Sequence, residues 1–160
     1  LSASGKLNLK MGGPGFRDVS VIPNNGTTYY KPIYPKGSEY DRRTVYRFSP
    51  RGERSAILDT FDCPDPSTTA PRRAVTTTPL QALALLNNKF ILDKAEDMAN
   101  RIKSLSDGNR NKQVEQAFLF AFQRNPNSEE MLLAKRLIQD YGLTTLCRSL
   151  FNSNEFVIIN

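Results

Sequence analysis

The chain has 160 residues, with 22 basic and 16 acidic side chains, a net charge of +6, and 39% apolar residues. This length and apolar content suit one modest core, and no apolar run approaches the roughly 18 residues of a membrane span. The sequence contains no His, which excludes Ser-His-Asp and Cys-His catalysis within the chain, His-ligated metals and C-x-x-C-H haem attachment.

The two halves of the chain differ in composition. Residues 1–78 hold 12 basic and 7 acidic residues together with 8 of the 10 prolines, whereas residues 79–160 hold 10 basic and 9 acidic residues. Pro and Gly disfavour helices and central strands. We therefore predict a single, mainly α domain over 1–160. An irregular basic wrap at 1–78 would contain one or two short strands, and a bundle of about four helices would fill 79–160.

The front half has few regular signals. Residues 1–4 suit the last turn of a helix that begins upstream, with Gly5 as its C-terminal stop. Residues 16–40 mix aromatic residues with Pro and indicate extended segments and turns. The alternation in residues 44–48 predicts a short strand. Pro64 and Pro66 make residues 59–66 irregular, because each restricts the residue before it.

The clearest signal in the chain is a helix start at residues 78–81. Thr78 suits the N-cap, Pro79 the first helical position, and Gln81 the third residue of a capping box. An apolar stripe follows, which we expect to break near Asn87-Asn88 and to end at Asp107-Gly108. The stripe, predicted to face the core, comprises Leu80, Leu83, Leu86, Phe90, Ala95, Met98, Ile102 and Leu105.

Further helices are predicted behind this stripe. One spans about 110–123, the next begins at Ser128 and ends at Gly142, and the last opens at Thr144. The apolar tail at 155–159 is expected to dock. The helix from Ser128 has an apolar face that we predict to consist of Leu132, Leu133, Leu137 and Ile138.

A series of motifs runs through most of the chain: Gly12-Gly13-Pro14, Arg42-Arg43, Thr60-Phe61-Asp62, Pro64-Asp65, Arg72-Arg73, residues 78–83, Leu85-Leu86-Asn87 and residues 150–156. This series resembles the C-terminal domain of unknown function in large planctomycete-type proteins, which accompanies a planctomycete cytochrome c domain upstream. The resemblance implies a C-terminal part of a longer polypeptide in a periplasmic or otherwise extracytoplasmic setting. Its partners would be the upstream domains. Haem would belong to those domains, and we expect no cofactor in this chain.

Three acidic residues, Asp59, Asp62 and Asp65, form a D-x-x-D-x-x-D pattern in a loop interrupted by Pro. A hard cation such as Ca²⁺ is one interpretation, since it takes several carboxylate oxygens from a flexible loop. A carboxylate pair for acid–base chemistry on a sugar is another. We favour a turn in which the Asp side chains accept from nearby backbone N–H groups.

The arginines offer a second candidate site. Arg72 and Arg73 suit a clamp onto Asp62 or Asp65, because a guanidinium pairs with a carboxylate through two hydrogen bonds. We favour this clamp, since a long loop needs such ties. The alternative is an anion pocket for sulfate, phosphate or an acidic sugar. That pocket would also use Arg42, Arg43 and the free N–H groups of the Pro79 helix start.

Three other features have an ordinary explanation beside a functional one. The basic front half suits a solvated surface better than a nucleic-acid site. Cys63 and Cys147 suit an exposed and a buried thiol better than a disulfide. Tyrosines that could line a glycan groove suit packing better, with their hydroxyls bonded at an edge; they are Tyr29, Tyr30, Tyr34, Tyr40 and Tyr46.

These features favour a non-catalytic C-terminal module of an exported multidomain protein, which binds a partner domain or an anionic ligand or glycan. The alternative is that the chain contributes residues to an active site shared with an upstream domain, of carbohydrate-related or redox chemistry. In that case Asp62, Asp65, Arg72 and Arg73 would face an open cleft. Beyond the candidate cation site at Asp59, Asp62 and Asp65 we assign no metal site, and we do not assign an enzymatic activity to this chain alone.

Overall fold

The computed structural model describes residues 1–50, 53, 55–64, 69 and 78–157. The chain divides into two compact units, one formed by Leu1–Lys6 with Leu85–Asn160 and the other by Leu7–Ala84. Mainly helical structure with short strands near the front confirms the predicted fold class. The prediction that the whole chain is a single domain stays a prediction.

The strands of the front unit form a β-hairpin. Strand β1 (Val19–Asn24) pairs antiparallel with β2 (Thr27–Pro32), with Ile22 opposite Tyr29. The connecting residues Asn25 and Gly26 both have positive φ, 43° and 82°, which is the backbone of a type I′ turn. This two-residue turn matches the twist of the paired strands, so it sets their register.

The predicted strand at residues 44–48 is wrong. Thr44–Tyr46 form a single 3₁₀ turn, and Arg47 makes only an isolated bridge to Phe16. The Phe16 N–H donates to the Tyr46 carbonyl at 2.9 Å, and the Phe48 N–H donates to the Phe16 carbonyl at 2.8 Å. Gly15 allows this approach, because a Cβ there would lie 2.8 Å from the Tyr46 oxygen. Helix α1 (Ala56–Thr60) follows, so the predicted irregular stretch begins later than residue 59.

Helix α2 (Pro79–Asn87) begins with the predicted capping box. The Gln81 N–H donates to the Thr78 hydroxyl at 3.3 Å, and the Thr78 N–H donates to Gln81 Oε1 at 3.1 Å. Gln81 is buried, and its Nε2 donates to the Thr60 carbonyl at 3.0 Å. Gln81 therefore satisfies two backbone groups at once and fixes α1 to the start of α2 within the front unit.

The second unit is a helical bundle with the predicted boundaries. Its helices are α3 (Lys89–Ser106), α4 (Arg110–Phe122), α5 (Ser128–Tyr141), α6 (Leu143–Phe151) and α7 (Asn154–Val157). Asn88 caps α3 at the predicted break, and Asp107 ends it in the left-handed conformation with φ 45°. None of the helices described in the structure is long and apolar enough to cross a membrane.

The core of this unit lies among α3, α4, α5 and α6. Its fully or nearly fully buried side chains include Ala95, Met98, Ala99, Ile102, Val114, Ala117, Phe118, Leu146, Cys147 and Leu150. The α3 members recur at spacings of three and four, which places them on one face of the helix. Burying a side chain of the size of Met98 or Ile102 stabilises the fold by about 1.5–3 kcal/mol. In the tail, Phe156 stacks on Phe151 with ring centroids 4.9 Å apart.

Part of each predicted apolar face points to solvent instead of the core. Leu80, Leu83, Phe90 and Leu105 of the long stripe are exposed, as are Leu132 and Leu133 of α5. The core side of α5 is formed by Met131, Ala134, Leu137 and Ile138. The break at Asn88 interrupts the long stripe between its front leucines and α3. In α5, two adjacent leucines stand about 100° apart around the axis, so periodicity alone does not decide which side faces the core.

The guanidinium of Arg124 forms ion pairs that link three segments of the bundle. Arg124 donates from Nη2 and Nη1 to the two carboxylate oxygens of Glu130 at 2.7 and 2.9 Å. Its Nε and Nη2 donate to Glu155 at 2.6 and 2.8 Å. The guanidinium also lies 5.5 and 5.4 Å from the ring centroids of Phe118 and Phe122. One side chain thus joins the loop after α4 to the start of α5 and to α7.

Candidate functional site

Arg42, predicted as an anion ligand, lies inside the front unit, where its guanidinium bonds to backbone oxygens. Nη1 donates to Pro14 at 2.9 Å, Nη2 to Gly12 at 2.6 Å, and Nε and Nη2 to Lys10 at 3.3 and 3.2 Å. The guanidinium also stacks on Tyr46, 4.1 Å from the ring centroid. In this geometry Arg42 holds the glycine-rich loop at 10–14 in place through its hydrogen bonds. An anion could bind the Arg42 guanidinium only by displacing these carbonyls.

The other predicted arginines are placed differently. Arg43 follows Arg42 directly but is exposed. Arg72 and Arg73 lie outside the described residues, so the structure does not place them relative to Arg42 or to any carboxylate. The anion pocket and the arginine clamp both stay predictions.

The described part of the D-x-x-D-x-x-D pattern is a helix end. Asp59 is exposed in α1, and Asp62 follows the helix with φ 56°, in the left-handed region that Asp tolerates. The Asp62 N–H donates to the Asp59 carbonyl at 3.2 Å. Asp65 lies outside the described residues. Among the residues that the structure describes, no group of three His, Cys, Asp or Glu side chains is arranged to hold a metal ion.

A buried ion cluster that sequence reasoning missed lies in the front unit. Arg47 donates from Nε to Asp18 Oδ2 at 2.8 Å and from Nη2 to Glu53 Oε1 at 3.0 Å. The Arg47 and Glu53 side chains are only 7% and 4% exposed. Burial opposes the charge on Arg47, but the hydrogen bonds to Glu53 and Asp18 outweigh it and raise the pKa of Arg47. No local pattern could reveal the cluster, since its members come from three separate segments.

The same cluster keeps two buried oxygens without a hydrogen bond. Asp18 Oδ1 and Glu53 Oε2 are hidden from solvent and find no hydrogen-bond partner among the residues that the structure describes. A buried oxygen without a hydrogen bond is costly. The Asp18 side chain is 31% exposed, so the cluster reaches the surface at this residue.

The β-hairpin exposes an apolar surface. We call the side chains of Ile22 and Tyr29 the hairpin surface; their exposed fractions are 46% and 55%. Ile22 and Tyr29 are directly opposite in the strand register, so they form one cross-strand pair on one face. Lys31, two residues beyond Tyr29, lies on that same face. The result is an apolar pair bordered by a positive charge.

The five tyrosines do not form one groove. Tyr40 makes an edge-to-face contact with Phe16, with centroids 6.3 Å apart, and Tyr46 lies under the Arg42 guanidinium. Tyr29 and Tyr34 are more than half exposed. Packing therefore accounts for two of the five, while two others are available at the surface.

The two cysteines are both free thiols, one exposed and one buried, as the favoured interpretation has it. Cys63 follows α1, whereas Cys147 lies in the core of the bundle on α6. Burial raises the pKa of the Cys147 thiol to about 12. A thiol of that pKa is neutral at physiological pH and unreactive, so Cys147 acts as a small core residue.

A shallow groove of about 270 Å³ lies between α3 and α6. It is lined by Leu92, Asp93, Ala95, Glu96, Thr144, Thr145 and Arg148. Arg148 donates from Nε and Nη2 to the carbonyl of Leu86, which belongs to the same unit, at 3.1 and 2.7 Å. The groove is smaller than the roughly 300–1,000 Å³ of most small-molecule sites, and we assign no ligand to it.

Comparison with known proteins identifies a family for most of the chain. A model of the family described as "PSD1: Protein of unknown function (DUF1553)" matches residues 1–138. No curated protein and no solved structure matches the chain. The match covers both the hairpin and most of the helical bundle.

Proposed function

The chain belongs to the PSD1 family of proteins of unknown function, and we propose that it is a non-catalytic C-terminal module that binds a partner domain of the same exported polypeptide. The location outside the cytoplasm, the planctomycete setting and the placement of haem in an upstream domain rest on the resemblance described above. They form part of this proposal.

The observation that carries the proposal is the hairpin surface. A two-stranded hairpin is marginally stable in water unless it packs on something else. Here Ile22 and Tyr29 are about half exposed on the tip half of the hairpin, and only Val19 at its base is buried. Adjacent exposed apolar side chains with a polar border are suited to form part of an interaction surface. An extended hairpin that keeps such residues exposed is well suited to dock on a second domain.

Charge indicates what kind of surface the partner presents. Lys31 borders the Ile22–Tyr29 pair, and no acidic residue occurs in the hairpin between Val19 and Pro32. An apolar patch with a positive border is complementary to an apolar patch with an acidic border. We therefore expect an acidic, partly apolar face on the partner domain, with Ile22 and Tyr29 as the buried anchors and Lys31 at the rim.

Binding to the preceding part of the polypeptide tests this proposal. That part is expressed separately and titrated with the 160-residue chain by calorimetry. We expect Ile22→Ser combined with Tyr29→Ser to weaken binding at least about tenfold, since loss of a central aromatic anchor costs more than about 1.4 kcal/mol. Lys31→Met should mainly reduce the dependence of binding on salt.

Leu132→Ser provides the matched control, because Leu132 is an apolar residue that is 70% exposed on the helical unit. It should leave affinity unchanged, and circular dichroism should show the same fold for all variants. The proposal fails if the two parts do not bind, or if the hairpin and control variants weaken binding equally. Binding of the chain to a sulfated polysaccharide, without binding to the upstream part, would favour an anionic glycan instead.

The alternative of a shared active site is supported by the Asp18–Arg47–Glu53 cluster. Asp18 Oδ1 and Glu53 Oε2 have no hydrogen-bond partner among the described residues, and a group of the upstream domain would reach them only after the residues that cover them move. Asp18→Asn would then reduce any activity of the full polypeptide without weakening the association measured above. Unchanged activity in that variant would exclude this alternative for the cluster.

A further inference from the structure

The first six residues have the hydrogen bonds of a helix C-terminus. The Lys6 N–H donates to the Leu1 carbonyl at 3.1 Å, and the Gly5 N–H donates to the Ser2 carbonyl at 2.9 Å. Gly5 has φ 71°, in the left-handed region. A hydrogen bond from residue 6 back to residue 1 thus encloses a hydrogen bond from residue 5 back to residue 2. With glycine in the left-handed conformation, this pattern is the Schellman motif that terminates α-helices.

Helix α3 holds this turn in place. Arg101 donates from Nη1 to the Ala3 carbonyl at 3.1 Å, which satisfies one of the acceptors that a helix end leaves unpaired. The same guanidinium stacks on Phe120, 3.8 Å from the ring centroid. Ser4 is buried, and Ala3 packs against the core of the bundle. The turn is therefore part of the helical unit.

Close packing and charge both suit a helix end at this place. A Cβ on Gly5 would lie 2.8 Å from Arg101 Cδ, so only glycine allows the arginine to come this close. Arg101 and Lys6 put two positive charges beside the carbonyl end, where the helix dipole is negative. Lys6 in turn lies 3.9 Å from Asp97 of α3. These contacts all fall within one unit of the chain.

We propose that α3, through Arg101, forms the docking site for the C-terminal end of a helix that begins before Leu1 and ends at residues 1–4. Leu1–Ser4 are then its last turn, and the partner of this face of the bundle is a helix of the same polypeptide. This inference does not depend on the hairpin, because different residues in the other unit carry it.

Hydrogen exchange on an extended chain tests the proposal. In a continuing helix, the N–H groups of Ala3 and Ser4 donate to carbonyls four residues earlier, which lie before Leu1. A segment of three Glu-Ala-Ala-Ala-Lys repeats is fused directly before Leu1, and a second version carries Pro-Gly at the junction. We expect exchange of these two amides to slow at least about tenfold in the direct fusion alone, together with a larger helical circular dichroism signal.

Arg101→Met tests whether Arg101 holds the end of this helix. We expect it to remove most of this protection in the direct fusion, whereas Arg110→Met, an exposed arginine on α4, should leave the protection intact. The core amides of α3 report whether the bundle still folds in each variant. Equal protection in the direct and Pro-Gly fusions would overturn the helix-end assignment. Protection that survives Arg101→Met in a folded bundle would overturn the role of Arg101.

Discussion

Glu130→Gln is the substitution that most directly tests the electrostatics of the bundle. The Glu130 carboxylate accepts hydrogen bonds from both Nη groups of Arg124 and from the Asn127 N–H, the last at 2.7 Å. It therefore takes part both in the ion pair with Arg124 and in the capping box of α5. The hydrogen bonds from Arg124, and then that from Asn127, lower the pKa of Glu130 from 4.5 to about 2. Glutamine keeps the shape and the oxygen that accepts from Asn127 but removes the charge.

The expected loss of stability follows from this pKa. A lowering from 4.5 to about 2 corresponds to at most ~3.4 kcal/mol, at about 1.36 kcal/mol for each pH unit. The Arg124 and Glu130 side chains are 39% and 28% exposed, so water screens the pair. Exposed pairs contribute about 0.2–1 kcal/mol, and bidentate geometry places this pair at the upper end. We therefore expect Glu130→Gln to lower the free energy of unfolding by about 1 kcal/mol and the Tm by about 2–4 °C.

The dependence on pH has a definite sign. Because the pKa of Glu130 is lower in the folded state, its stabilisation is complete above about pH 5 and disappears as the pH falls from 4.5 towards 2. The difference between wild type and Glu130→Gln at pH 3 should be less than half of that at pH 7. Urea unfolding followed by circular dichroism measures both differences.

Glu129→Gln is the matched control, since Glu129 is an exposed acidic residue in the same first turn of α5. Its loss should cost only the few tenths of a kcal/mol of the helix dipole interaction. The reasoning is refuted if the two variants are equally stable at pH 7. It is also refuted if the cost of Glu130→Gln is the same at pH 3 as at pH 7.

Two other predictions concern residues singled out from the sequence. Arg42→Met should lower the free energy of unfolding of the front unit by about 2–3 kcal/mol, because three backbone carbonyls lose a charged donor. The control Arg43→Met, at the exposed neighbouring residue, should lower it by under about 0.5 kcal/mol in urea unfolding. Equal losses in the two variants would contradict the structural role of Arg42. Cys63 should react with a thiol reagent at once in the native protein, whereas Cys147, with a pKa of about 12, should react only at the rate of unfolding. Rapid labelling of both thiols at neutral pH would disprove the burial of Cys147.

The helical half could be predicted because its boundaries depend on neighbouring residues. The capping box of Thr78 and Gln81, the break at Asn88 and the left-handed stop at Asp107 all involve side chains within three positions of the backbone that they serve. The side of each helix that faces the core was less certain. The choice in α5 depends on which helices pack against it.

The front unit was harder to predict because its signals conflict. Asn25-Gly26 is a strong hairpin signal, yet Pro23 and Pro32 beside it argue against regular strands. Both prolines are tolerated because, within the described part of the chain, the sheet consists of these two strands, so each strand has an outer edge without a partner strand. The alternation at 44–48 is strand-like, but among the described residues this segment pairs only through the bridge of Arg47 to Phe16. A 3₁₀ turn forms at Thr44–Tyr46 instead.

The roles of the arginines explain why the net charge of the front half overstates the positive charge that a partner can meet. Arg42 and Arg47 belong to the basic excess of the front half, but both guanidinium groups are buried and bonded to carbonyl or carboxylate oxygens inside their unit. A partner in solution does not meet these charges. The positive potential available for binding therefore comes from exposed cations such as Lys31 and Arg43. Because only Lys31 of these lies on the same face as Ile22 and Tyr29, any electrostatic contribution to docking at the hairpin should follow Lys31 and be insensitive to Arg43.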